Sequence, residues 1–140
     1  MAERLEAKHQ GGTYLAARKI VFDDGIDPAE VCFERGWSDG LPVTPPTDER
    51  VIAMLKGTSR KPGEIVGRIP PNLAECTIEK VAINAVMAGC KPEYMPVLVA
   101  AVDALSDMNF NLVGIATTTG SAAPIYIVNG PIVDQIGLNA

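Results

Sequence analysis

The sequence predicts an α/β (or α+β) domain, compact layered helices on a small mixed sheet, and three observations predict it. Capped segments of helical period alternate with short runs rich in Val and Ile. Aromatic residues make up only 5% of the chain while Ala, Val and Ile dominate, which suits helix-on-sheet packing better than an aromatic-rich β-sandwich. An apolar share of 47% against 21% charge lets a chain of 140 residues bury one core.

Taken in order, residues 1–18 read as a polar N-terminal arm broken by Gly11-Gly12, and residues 19–140 as a single domain. "KIVFDDG" (Lys19 to Gly25) reads as a short strand ending in a turn. Asp27 as N-cap, Pro28 at the first helical position and Gly36 beyond the end define a helix. "WSDGLPVTPP" (Trp37 to Pro46) is too rich in Pro and Gly for regular structure and reads as an ordered loop. A second helix starts at Thr47, with Asp48 and Glu49 in its first turn and Lys56 in its last, the charge order that suits a helix dipole. "GEIVGRIPP" reads as a strand stopped by Pro70-Pro71. A long helix runs from about Thr77 to Ala88 and closes at Gly89. "EYMPVLVAAVDALSD" is a further helix, Pro96 being tolerable in its first turn. "NLVGIATTT" and "PIYIVNG" read as two strands joined by Gly-Ser-Ala-Ala, and "PIVDQIGLNA" as the start of a short helix.

The net charge of -5 and pI near 4.8 argue against nucleic acid or an anionic membrane as partner. No apolar run is long enough for a transmembrane helix, and the charged N-terminus lacks a signal-peptide core, which leaves the cytoplasm as the expected compartment. Cys32, Cys76 and Cys90 form no Cys-x-x-Cys unit and are expected as free thiols. The single histidine, His9, argues against a His-based metal site, and the residues leave the cofactor unknown.

Chemistry is sought where polar residues interrupt apolar pattern. Lys80, Asn84 and Met87 fall at i, i+4 and i+7 of the long helix, hence on one face. The rest of that helix leaves no second solvated stripe. Lys80 and Asn84 are therefore expected to meet a cavity or a subunit boundary, together with a residue of the Trp37 loop or of the Thr117–Thr119 loop. The alternative has Lys80 reaching solvent and Asn84 bonding a backbone group. Cys90, just past a helix C-terminus, is poorly placed to hold a thiolate and reads as structural. The loop carrying Trp37 and Asp39 is stiffened by Pro42, Pro45 and Pro46, as site walls often are, although Asp39 also suits its own turn. "ATTTGSAAP" offers hydroxyls from Thr117, Thr118, Thr119 and Ser121 around Gly120, but lacks the glycine patterns of a P-loop or a dinucleotide site. Asn129-Gly130-Pro131 is first a turn.

Three stretches, "ERGWSDGLPVTPPTDERVIAML", "IEKVAINAVMAGCKPEYMPV" and "ATTTGSAAPIYIVNGPI", resemble a poorly characterised bacterial family whose members often accompany proteins with a UGSC-type motif, selenocysteine or cysteine followed by Gly-Ser-Cys. The resemblance spans residues 28–140. It implies a chain that continues beyond this sequence, so that a partner chain or a missing C-terminal half would complete the domain. By association it also implies redox or carbon–heteroatom cleavage chemistry, although this chain has no such motif. The expectation is an enzyme subunit acting on a small polar molecule. Lys80 would supply charge or a proton and Asp39 or Glu93 would act as general acid or base. Trp37, Asn84, Tyr94, Thr118, Thr119 and Asn129 would bind the substrate. The alternative is a non-catalytic interaction subunit of a hetero-oligomer.

Overall fold

Thr77 sets the start of the central helix: its backbone is extended and its hydroxyl accepts the N–H of Lys80. A computed structural model of the chain describes residues 15–21, 23 and 25–138. In chain order the elements are α1 (Pro28–Glu34), α2 (Asp48–Leu55), β1 (Ile65–Ile69), β2 (Ala74–Thr77), α3 (Ile78–Met87), α4 (Met95–Leu105), α5 (Leu112–Thr117) and α6 (Ile132–Ile136). Single 3-10 turns lie at Pro92–Tyr94 and Met108–Phe110. The fold is mixed α and β, helices on a small sheet.

The core lies where α2, α3 and α4 meet β1. Val51, Met54 and Leu55 face Ile78, Val81, Ala82, Ala85 and Val86, and Met95, Val99 and Val66 close the cluster. Ile78, Met95 and Val51 are the largest fully enclosed side chains, each stabilising by about 1.5–3 kcal/mol. Two glycines permit the close approaches. A Cβ at Gly57 would stand 1.8 Å from the Pro92 carbonyl oxygen, and one at Gly67 would stand 2.0 Å from Ser106 Oγ. The first lets the end of α2 meet the start of α4, and the second lets the end of α4 lie on β1.

The sheet is one antiparallel hairpin, with Gly67 opposite Cys76, Arg68 opposite Glu75 and Ile69 opposite Ala74. Sequence patterning finds β1 and misses β2, because Pro70-Pro71 ends one strand without announcing that the chain returns beside it. The helices expected near residues 27–36, 47–57, 77–88 and 93–107 are all present.

The strand readings elsewhere are corrected. "NLVGIATTT" is helical over Leu112–Thr117, because Asn111 adopts a left-handed conformation and caps the Gly114 N–H. No neighbouring strand is there to reward its β-branched residues. "PIYIVNG" takes no regular structure for the same reason: among the described residues no backbone group from Ser121 to Asn129 finds a backbone partner. The described residues of the 19–25 stretch form no strand either, and residues 1–14, most of the expected polar arm, lie outside the described residues. Beyond Val99 no described residue is buried, and Ile125 and Ile127 are 88% and 83% exposed. Among the described residues no single helix is long and apolar enough to cross a membrane.

Candidate functional site

The site begins with a carboxylate on the wrong side of a helix. Glu79 lies in the first turn of α3, where its charge suits the helix dipole, yet it is only 3% exposed. Its two oxygens accept the consecutive N–H groups of Ala16, at 3.0 Å, and Ala17, at 2.8 Å. That is how a buried anion without a cation is satisfied. The bonds lay the segment Leu15–Val21 across α3 as a strap. Farther along, the Lys19 ammonium pairs with the Asp48 carboxylate at the start of α2, and Leu15 packs on the core.

Under the strap is a cavity of about 640 Å³. One wall is the strap itself. A second is α1, through Pro28, Val31 and Cys32. The Trp37 loop and Pro45–Thr47 form a third, and Ile83, Asn84 and Met87 of α3 form the floor. The stiff proline stretch is held to the floor by the Thr44 N–H, which donates to the Met87 carbonyl at 3.1 Å. The lining is chiefly apolar, and its charges are mostly compensated. Lys19 meets Asp48, and Glu79 is saturated by peptide N–H groups.

Two of the sequence-predicted residues meet here. Asn84 and Trp37 line the same cavity. Asn84, an exposed residue, donates from Nδ2 to the Lys80 carbonyl at 2.9 Å, one turn back, and its Oδ1 accepts no bond from the described residues. Trp37 is 44% exposed, with the Arg35 guanidinium 5.7 Å from its ring centre. Lys80 stays outside the cavity, its Nζ donating to the Glu75 carbonyl of β2 at 2.6 Å.

The remaining candidates are dispersed. Asp39 Oδ1 accepts the Leu41 N–H at 3.2 Å within its own turn. Thr118 Oγ1 accepts the Gly120 N–H, and Thr117 Oγ1 donates to the Val113 carbonyl. Thr119, Asn129 and Glu93 are exposed. Tyr94 lines a smaller recess, about 250 Å³, with Val97, Leu98 and residues of the α6 end. Lys80, Asp39 and Glu93 are thus not gathered at one point by this chain.

The three cysteines are free thiols. Burial pushes the Cys76 thiol above its ordinary value, with Lys80 pulling the other way. Cys32 lines the cavity and Cys90 packs against the core. Among the described residues no group of three His, Cys, Asp or Glu side chains could hold a metal ion.

Sequence reasoning missed Glu79 and the strap. A signal was present: Glu79 shares a helical arc with Ala82, Ile83 and Val86, and a carboxylate on such an arc needs dedicated donors. No protein-family model matches this chain, and neither does any characterised protein or solved structure.

Proposed function

We propose that this chain is the substrate-holding part of an enzyme subunit, binding a small molecule beneath the strap, with reacting groups completed by a second chain. The observation that carries the reading is the cavity of about 640 Å³ that brings Trp37 and Asn84 into one lining. Its size falls in the usual range for small-molecule sites, as does its pattern of apolar walls with a few polar groups. Stiff walls built from Pro28, Pro45 and Pro46 lower the ordering cost of binding. Redox or carbon–heteroatom cleavage enters through the resemblance to the UGSC-associated family. It would require groups additional to Lys80, Asp39 and Glu93, which stand apart from the cavity.

Trp37 is the only tryptophan, so its emission reports on the site directly. A panel of aromatic fragments should quench or shift that emission and raise the melting temperature. Ile83→Phe, which fills the cavity from its floor without adding a second tryptophan, should remove the response. No response to any fragment at millimolar concentration would defeat the proposal.

A second reading, an interaction subunit, is favoured by the absence of any buried residue after Val99 among the described residues. The chain exposes 10697 Å², against about 7,000 Å² expected for a compact protein of 14.8 kDa. Granting every undescribed residue the exposure of an unfolded chain, roughly 3,000 Å², still leaves an excess on the order of 1,000–2,000 Å². One partner's share of a standard interface is about 800 Å². The two readings are compatible, since the cavity and residues 121–129 occupy different parts of the chain. Light scattering on the purified chain separates them: a clean monomer that responds to fragments leaves only the first.

A further inference from the structure

Resting on the reading that the cavity binds a small molecule, we infer its ligand class: a neutral, ring-bearing, largely apolar molecule with one hydrogen-bond donor, accepted by Asn84 Oδ1. The charges in the lining carry the neutral part. Lys19 is paired with Asp48, and Glu79 is engaged by two peptide N–H groups. Arg18, on the strap, is exposed, so its guanidinium stays hydrated and is no buried counter-charge. A charged ligand would lose its hydration for no dedicated counter-charge, a cost that burial makes large.

The flat, stiff surfaces carry the ring. Trp37, Pro45 and Pro46 present rigid faces, and the Met87 thioether is polarizable and suits contact with an aromatic edge. Asn84 carries the donor. Its Nδ2 is spent on the Lys80 carbonyl, which turns the amide so that the oxygen, an acceptor only, is what it can offer a ligand. A ligand acceptor at that point would face another acceptor. Asn84 is exposed, so a ligand with neither forgoes the net worth of one hydrogen bond to the amide oxygen.

The test uses 2-naphthol, 2-methoxynaphthalene and naphthalene-2-carboxylate, measured by calorimetry at neutral pH on the whole chain. The first is neutral with a donor, the second has that donor methylated, and the third is an anion. On the native chain 2-naphthol should bind about five- to tenfold more tightly than its methyl ether, the worth of one hydrogen bond. Asn84→Leu should erase that ratio while still binding both, and Asn84→Gln, which keeps the amide, should retain it. Melting curves of both variants confirm that each is folded. Equal affinity for the naphthol and its ether on the native chain overturns the role of Asn84. Tighter binding of the carboxylate overturns neutrality and assigns selection to Arg18. Binding of none of the three overturns the cavity reading itself, a failure distinct from the other two.

Discussion

Glu79→Ala should release the strap and leave the body of the domain folded. Two charge-assisted bonds, at 3.0 and 2.8 Å, join Glu79 to Ala16 and Ala17. Hydrogen bonds to charged groups are worth about 1.5–3 kcal/mol each, but part of that is returned, because the lifted N–H groups regain water and the buried carboxylate no longer has to be desolvated. A net loss of about 2 kcal/mol in strap docking is the working figure, or roughly a thirtyfold rise in the lifted population. Among the described residues the strap's other polar tie is the exposed Lys19–Asp48 pair, worth at most about 1 kcal/mol.

The readout is limited trypsin digestion. Arg18 and Lys19 place two cleavage sites within the strap, and Arg60-Lys61 gives an internal reference in the turn before β1. Where opening and reclosing are fast, cleavage rate follows the open population. Cutting after Arg18 and Lys19 should therefore rise about thirtyfold in Glu79→Ala relative to cutting at the reference. If both sites accelerate together and the melting temperature falls steeply, Glu79 supports the whole fold and the strap is not a separable unit.

Gly57→Ala should destabilise the domain by about 1–3 kcal/mol or more in urea unfolding, since the new Cβ meets the Pro92 carbonyl. Thr77→Ala should cost about 1 kcal/mol by the same measurement, through loss of the cap on the Lys80 N–H. Burial raises the Cys76 pKa above 9.0, with Lys80 opposing, so the native state retains the thiol proton more firmly than the unfolded chain does. Its contribution to stability is complete below pH 9.0 and is lost as pH rises through the native pKa. Cys76→Ser should flatten the fall of stability in that alkaline range. Ile127→Lys should change the unfolding free energy by no more than about 0.5 kcal/mol in urea unfolding, as expected for an exposed position.

The four main helices are legible because their ends carry local chemistry. Asp27 with Pro28, Thr47 with its acidic first turn, and Thr77 each specify a start through groups a few residues apart. Strands lack such punctuation. Val113 and Ile115 sit in a helix while Ile125 and Ile127 sit in open chain, although all four have high strand propensity. What decides is the presence of a partner strand, a long-range matter that no window of residues contains. The cavity was half legible. Asn84 betrays itself as an amide in an apolar helix, and Trp37 as the lone tryptophan in a stiff loop. Lys80 was misleading for a physical reason: its stem is long enough to reach back to the Glu75 carbonyl instead of forward with Asn84. Glu79 requires knowing that a distant segment will deliver two N–H groups.

The open run from Ser121 to Asn129 has a consequence for handling the protein. Its amide and carbonyl groups lack backbone partners and its isoleucines stand in water, so it is a template onto which another extended chain can add. From Met108 to Leu138 the only charge is Asp134, which leaves little repulsion there to keep copies apart. Loss of material on storage should then scale with the square of concentration, proceed well below the melting temperature, and slow when a lysine replaces Ile127.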